Sequence, residues 1–81
     1  MTLYQFNALD EMEQAEVLWN HGVELGQRVD EEHRITLYQI HGFYLEVYHH
    51  IQDDVVKRYR SFSSVAQLAP YIDNLNISDL L

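Results

Sequence analysis

Histidines are the side chains of this chain best suited to bind a metal ion, and the chain has five of them. His49 and His50 are adjacent on a predicted strand, so they point to opposite faces of a sheet and cannot hold one ion together. His33 precedes the first predicted strand and becomes the cross-strand partner of His49 in the register favoured below. Two imidazoles without a third ligand form a weak site, and there is no cysteine to add a thiolate. We therefore expect no metal site and no cofactor.

Glu46 is the acid that lies in the middle of a predicted strand, which makes it the first candidate for acid–base chemistry. General acid–base catalysis needs a second carboxyl group or a base that converges on the same cleft. The predicted register instead places Arg60 opposite Glu46, as a cross-strand ion pair that stabilises a sheet by about 0.2–1 kcal/mol. The chain also has no glycine-rich phosphate loop, no HExxH motif and no cysteine nucleophile. We predict a non-catalytic protein without a small-molecule substrate.

Tyrosine and arginine give the strongest functional candidate. We assign one face of the predicted strands to phenols and guanidinium groups around a carboxylate, and this candidate interaction face comprises Tyr38, Tyr44, Glu46, Tyr48, Arg58 and Arg60. Tyrosine and arginine are enriched at protein interfaces and often anchor them. A sheet with a helix on one side leaves its other side open. This face is therefore covered either by the chain's own last helix or by a partner, which predicts a homodimer or a domain accessory to a larger protein.

Charge is unevenly distributed. The formal net charge is -8, and eight of the thirteen acidic residues fall between Asp10 and Glu32, where Arg28 is the only base. A strong negative field disfavours nucleic acid as a partner. The same segment supplies an alternative function, an acidic mimic or inhibitor that binds a basic site on another protein through the helix predicted over Asp10–Glu32.

This acidic helix follows a weakly alternating segment from Leu3 to Phe6, which predicts a short edge strand or a hydrophobic lead-in. Asp10 and Glu13 match a capping box, in which each side chain accepts a backbone N–H of the other residue. At about 100° per residue the apolar residues that follow fall on one arc, with Val17 outside it. The arc comprises Met12, Ala15, Leu18, Trp19, Gly22, Val23, Leu25, Gly26 and Val29.

Glycines inside the predicted helix leave two interpretations open. Gly22 and Gly26 each cost about 1 kcal/mol relative to alanine in a helix interior. Either they let the helix approach the sheet closely, or Gly26 is the C-terminal stop. Glu24 and Arg28 are spaced for an i,i+4 ion pair on the same helix.

The length of the first turn decides which side chains share a face. A two-residue turn at His41 and Gly42 pairs Ile40 with Phe43 and mixes aliphatic and phenolic side chains on both faces. A three-residue turn pairs Gln39 with Phe43 and sorts the aliphatic side chains onto one face and the phenols onto the other. A one-residue slip moves a strand's whole side-chain set, so we favour the cleaner partition. Gly42 then occupies the left-handed position of the turn.

The second turn, residues 52–54, also has two registers. Pairing Ile51 with Val55 directs the arginines of the last strand outward, whereas pairing Gln52 with Val55 buries them. Because an unpaired buried charge is costly, we favour the first register. It allows for a bulge near Val56.

A short C-terminal helix is predicted after the last strand. Ser63 or Ser64 caps it, with Gln67 completing a Ser-x-x-Gln box. Pro70 kinks this helix or splits it into two short turns. We expect the tail from Asn76 to Leu81 to return as an extended segment.

A cytoplasmic protein without a membrane partner is predicted. Near Met1 there is neither a basic leader nor an apolar run long enough for a signal peptide or a membrane span. The lack of cysteine fits a reducing compartment.

Several segments together resemble small bacterial proteins of uncharacterised function, built from one helix, three strands and a short final helix. The resemblance rests on Phe43-Tyr44-Leu45-Glu46-Val47-Tyr48, Arg60-Ser61-Phe62 and Leu68-Ala69-Pro70-Tyr71-Ile72. It implies a fold and carries over no functional residues.

We therefore predict that residues 1–81 form a single α+β domain. An N-terminal helix packs on a three-stranded antiparallel β-meander between Ile35 and Phe62, and a short C-terminal helix follows. The aliphatic face that receives the first helix is predicted to comprise Ile35, Leu37, Leu45 and Val47.

Overall fold

The computed structural model describes residues 1–71 of the chain. In chain order its elements are α1 Leu3–Asn7, α2 Glu11–His21, β1 Gly22–Val29, β2 His33–Ile40, β3 Phe43–His50, β4 Val56–Phe62 and a 3₁₀ helix Val65–Tyr71. The strands form one antiparallel sheet in the order β1-β2-β3-β4. The α+β class is confirmed, but the sheet has four strands rather than the three predicted.

Both N-terminal helices begin at capping boxes. The predicted pair of Asp10 and Glu13 is confirmed, since the Glu13 N–H donates to Asp10 Oδ1 at 2.8 Å. Thr2 and Gln5 form a second capping box that the sequence reading missed. Two orphan N–H groups are satisfied in this way at each helix start. The lead-in is therefore the helix α1, not an edge strand.

The additional strand is β1, which was predicted as the second half of the acidic helix. The helix ends at His21, and Gly22 follows as its C-cap in an extended conformation. Only glycine fits this close approach, because a Cβ would be 2.6 Å from the Leu18 carbonyl oxygen. From Gly22 onward the backbone pairs with β2. A helix interrupted by two glycines is costly, whereas β1 satisfies its backbone groups in the ladder. The predicted i,i+4 pair of Glu24 and Arg28 is therefore wrong.

The favoured register of the first hairpin is also wrong. Ile40 pairs with Phe43, and Tyr38 pairs with Leu45. The left-handed residue of the turn is His41, with φ of 52°, and Gly42 has no positive φ. Sorting aliphatic from phenolic side chains is a sound criterion only when one face of a sheet meets water. Here both faces are covered, so each of them takes apolar side chains.

The second hairpin confirms the favoured register along the strands, but Ile51 does not pair with Val55, because the His50 N–H donates to the Val55 carbonyl oxygen and the turn begins at Ile51. Glu46 pairs with Arg60 and Tyr48 pairs with Arg58, and the register then shifts opposite Val56, where a bulge was expected. This register keeps the guanidinium groups at the surface while the carbon stems of the arginines lie along the sheet.

Two apolar clusters lie on opposite faces of the sheet. The first is formed by Phe6, Ile40, Phe43, Leu45 and Val47, with Val17 and Leu18 of α2 packed against it. The second is formed by Leu37, Tyr44, Phe62, Leu68 and Tyr71. Of the four residues predicted to receive the first helix, Leu45 and Val47 are on the correct face. Ile35 and Leu37 are on the opposite face, because the register of β2 differs by one residue from the predicted one. Val17, predicted to lie outside the apolar arc, is one of the two α2 residues that face the sheet.

The predicted C-terminal helix is the 3₁₀ helix, with Pro70 inside it and Leu68 and Tyr71 buried. Its start is held by the Gln67 N–H, which donates to the Ser64 carbonyl oxygen at 3.2 Å. The extended tail predicted for Asn76–Leu81 lies outside the described residues.

Gly22→Ala tests why the helix stops where it does. The added methyl group meets both the Leu18 carbonyl oxygen and its side chain, so we expect a loss of about 1–3 kcal/mol in the free energy of unfolding. Gly42→Ala is the matched control, since nothing lies within 4 Å of a Cβ there. Urea denaturation measures both variants, and equal losses would contradict the steric explanation.

Candidate functional site

A buried carboxylate lies on the sheet face that carries the second apolar cluster. Glu46 of β3 is 1% exposed. Arg28 donates from Nε and Nη2 to Glu46 Oε2 at 3.2 and 3.1 Å, and the Tyr71 hydroxyl donates to the same oxygen. The other oxygen, Oε1, accepts from Arg60 Nη1. Charge-assisted bonds of this kind are the stronger class of protein hydrogen bond.

Four elements meet at this carboxylate. Arg28 comes from β1, and its Nη2 also donates to the Tyr48 hydroxyl at 3.1 Å. Arg60 comes from β4 and bonds Gln67 of the 3₁₀ helix through its second nitrogen. Tyr71, the last described residue, comes from the same 3₁₀ helix. We call Glu46, Arg28, Arg60 and Tyr71 the carboxylate clamp.

The pKa values follow from these contacts. Burial alone would raise the pKa of Glu46, but the hydrogen bonds from Tyr71, Arg60 and Arg28 outweigh it and hold this pKa below the usual range of a glutamate. Burial, reinforced by the Glu46 acceptor, raises the pKa of the Tyr71 hydroxyl, which therefore keeps its proton. Glu46 is a charged acceptor whose oxygens are occupied by its own chain. That arrangement suits a structural role and leaves little acceptor capacity for a substrate proton.

The candidate interaction face is largely enclosed. Tyr44 and Tyr48 are 8% and 5% exposed. Tyr44 packs on Phe62, with ring centroids 5.5 Å apart, and the Arg58 guanidinium lies 4.1 Å from the centroid of the Tyr48 ring. Among its six members only Arg58 and Arg60 are exposed.

Tyr38 requires a correction. It was predicted on the same face as the other phenols, but its register opposite Leu45 places it on the helix side, packed against the first apolar cluster. The physical reason is again the two-residue turn, which moves the whole of β2 by one position. Glu46 consequently pairs with Leu37 across the β2–β3 ladder.

Two large apolar side chains are exposed on α2, where the sequence predicted core positions. Trp19 is 89% and Met12 81% exposed, and no residue of α2 is buried. The two are seven residues apart and therefore lie on one side of the helix. We call Met12 and Trp19 the α2 stripe.

Sequence reasoning missed this stripe because its apolar arc was too wide. A helix on a sheet buries only part of its circumference. The inclusion of Trp19 and Leu18, adjacent residues, in one arc was a signal that both could not point fully inward.

A groove opens beside the stripe. Its volume is about 630 Å³, and it lies between the start of α2 and β4, with Glu11 and Met12 on one wall and Lys57 and Tyr59 on the other. Burial raises the pKa of the Tyr59 hydroxyl, and the nearby Glu11 carboxylate adds to this effect. The groove extends the accessible surface around Met12.

Within residues 1–71, no group of three or more His, Cys, Asp or Glu side chains converges on a point that could hold a metal ion. In the same part of the chain, every helix is too short or too polar to cross a membrane. Cytoplasmic location stays a prediction from the sequence.

Tyr71→Phe tests the carboxylate clamp. The variant removes one donor from a buried charge while keeping the ring, so we expect the free energy of unfolding to fall by about 1–3 kcal/mol. Tyr4→Phe is the matched control because Tyr4 is 83% exposed, and a change within about 0.5 kcal/mol is expected there. Urea denaturation at neutral pH gives both numbers. Indistinguishable variants would show that the Tyr71 hydroxyl is not bonded in solution.

Glu46→Gln tests the sign of the pH dependence. Because the pKa of Glu46 is lower in the folded chain than in the unfolded one, its stabilising contribution is complete above about pH 4.3, the ordinary glutamate value. It is lost as the pH falls through the folded-state pKa. The stability difference between the native chain and the variant should therefore shrink toward acid pH in a urea series. A difference that stays constant with pH would contradict the clamp.

Comparisons with protein-family models, with curated proteins and with solved structures each find no match. What bears on function is therefore the chain's own geometry, a carboxylate enclosed by four elements and an apolar stripe left open on α2.

Proposed function

We propose that this chain is a small, non-catalytic protein-interaction domain that is accessory to a larger protein and binds a basic surface of it through α2. The observation that carries the proposal is the exposure of Trp19 and Met12, at 89% and 81%, on one side of a helix without buried residues.

Tryptophan at this exposure is unusual in a small domain. Tryptophan is highly buried on average, and a buried one removes about 150–250 Å² of surface from water. Indole side chains are also the commonest binding hot spots of protein interfaces. Trp19 and Met12 together have the composition of an interface anchor that inserts into a pocket of a partner.

The charge around the stripe favours a basic partner. Glu11, Glu13 and Glu16 lie on the same helix as the stripe, and all three are exposed. Complementary potentials raise association rates and reject partners of the wrong sign. In a symmetric dimer through α2 these acids would face their own copies, which disfavours self-association by this route. An apolar groove with a basic rim on another protein fits better.

Two other functions have less support. Self-association through the candidate interaction face would need accessible phenols, and Tyr44 and Tyr48 are buried within the single chain. Acid–base catalysis would need a carboxylate that a substrate can reach, and the oxygens of Glu46 accept from Arg28, Arg60 and Tyr71.

Trp19→Ala tests the proposal in affinity capture from lysate of the source cells. We expect the native chain to retain a discrete basic protein, and Trp19→Ala to weaken its binding at least about tenfold, as hot-spot truncations do. Tyr4→Ala is the matched control, since Tyr4 is equally exposed but lies on α1. The emission of Trp19, the single tryptophan of the chain, should shift to the blue when the purified partner is added. Equal retention by both variants would contradict the proposal.

Neutralising acidic residues of α2 tests whether their charge speeds association with the partner, independently of the apolar contacts of Trp19. Glu11→Gln with Glu16→Gln leaves the capping residues intact and should slow association, most strongly at low salt. Glu31→Gln with Glu32→Gln, an equal charge change in the turn between β1 and β2, is the control. Stopped-flow association monitored by Trp19 fluorescence measures both. An equal effect of the two pairs would mean that net charge, rather than the surface of α2, attracts the partner.

A further inference from the structure

A second cluster of chemistry-bearing side chains lies at the opposite end of the sheet from the turn at His41. His33 of β2 and His50 of β3 are direct cross-strand partners. Their ring centroids are 6.0 Å apart, with an interplanar angle of 81°. The register favoured from the sequence paired His33 with His49, so the one-residue shift of β2 replaces that partner by His50.

The backbone places these two histidines at the close type of antiparallel pair. The His33 carbonyl oxygen accepts from the Asp30 N–H, and the His50 N–H donates to the Val55 carbonyl oxygen, so both backbone groups are directed away from the β2–β3 ladder. In such a non-hydrogen-bonded pair the Cα atoms are about 4.5 Å apart and the side chains are closest. Both imidazoles therefore project from neighbouring positions on one face.

Each imidazole also has a carboxylate beside Nδ1. His33 Nδ1 lies 3.2 and 3.3 Å from the two carboxylate oxygens of Asp30. His50 Nδ1 lies 3.3 Å from Asp53 Oδ1, although without the alignment of a hydrogen bond. A carboxylate beside one ring nitrogen favours a proton there and leaves the other nitrogen, Nε2, with its lone pair available, as in the carboxylate–histidine–metal arrangement.

We propose that Nε2 of His33 and Nε2 of His50 together bind one borderline divalent cation, such as Zn²⁺, Ni²⁺ or Cu²⁺. Two imidazoles that share an ion at about 2.0–2.1 Å have ring centroids roughly 5–6 Å apart, which matches the observed separation.

The surroundings favour a cation. The turn between β1 and β2 and the turn between β3 and β4 are joined by the Ile51 N–H, which donates to the Glu32 carbonyl oxygen at 2.9 Å. These two turns carry Asp30, Glu31, Glu32, Asp53 and Asp54. Lys57 and Arg34 contact only Asp53 and Asp54 among them. The excess of carboxylates raises the local concentration of cations.

Imidazole ligands set the metal class. Nitrogen donors suit Zn²⁺, Ni²⁺ and Cu²⁺, whereas Mg²⁺ and Ca²⁺ prefer oxygen. With two protein ligands the ion keeps positions for water or for a donor from a partner molecule, so the site is open rather than of the closed structural type. It differs in place and chemistry from the α2 stripe and does not depend on the proposed function.

Isothermal titration of the full chain with Zn²⁺ and Ni²⁺ tests the site. We expect one saturable site, weakened at least about tenfold by His33→Gln and by His50→Gln and about tenfold by Asp53→Asn. His49→Gln is the matched control, since His49 is adjacent to His50 but lies on the other face. A second control removes His21 and His41, whose rings are 4.9 Å apart at the other end of the sheet. Both controls should leave the affinity unchanged, and Mg²⁺ and Ca²⁺ should not compete.

NMR of the unmutated chain gives a readout that does not depend on how the variants fold. Zn²⁺ should shift the Nε2 resonances of His33 and His50 and leave those of His21, His41 and His49 in place. The proposal is overturned if there is no saturable binding below about 1 mM, if His49→Gln or the His21 and His41 double variant abolishes it, or if the resonances that shift belong to other histidines.

Discussion

The rest of this structure depends on how the chain accommodates the negative charge of Glu46 inside the sheet face. Removing a carboxylate from water costs several kcal/mol, and the cost is offset only when enough donors are present with good geometry. Arg28, Arg60 and Tyr71 supply those donors from three different elements. The charge of one side chain therefore links β1, β4 and the 3₁₀ helix to β3, in addition to the backbone ladders.

The carboxylate clamp closes a face that would otherwise be open. Tyr71 and Leu68 pack on the sheet beside Tyr44 and Phe62, and the stem of Arg28 crosses β2 to reach β3. The opposite face is filled by α1 and by Val17 and Leu18 of α2. Among the described residues, the outer side of α2 carries Trp19 and Met12, which are 89% and 81% exposed. The proposed function therefore uses a different surface from the one that holds the carboxylate clamp.

The sequence predicted those features that depend on local chemistry. The capping box of Asp10 and Glu13, the second hairpin with its bulge, and the pairing of Glu46 with Arg60 follow from neighbouring residues and from the cost of burying arginines. The Glu46 and Arg60 half of the carboxylate clamp could therefore be predicted from the sequence. Its other half could not, because Arg28 had been placed on a helix and the phenol of Tyr71 approaches from 25 residues along the chain.

The error in the first hairpin came from the assumption that aliphatic and phenolic side chains occupy separate faces of the sheet. Under that assumption the three-residue turn at Gly42 sorted the side chains best, which put Tyr38 on the wrong face and exchanged His49 for His50 as the partner of His33. The extension of the acidic helix through β1 was a separate error, and its wide apolar arc placed Trp19 among the core residues. Glycines at 22 and 26 were the available signal that a strand follows the helix.

The most direct test of the account is the titration of the Glu46 side-chain carboxyl carbon by ¹³C NMR in the folded chain. Donors from Arg28, Arg60 and Tyr71 stabilise the charged form, so the account predicts an inflection below the ordinary glutamate range. An inflection at or above that range would mean that burial is not offset by these donors. The enclosed face, and with it the assignment of α2 as the open surface, would then be wrong.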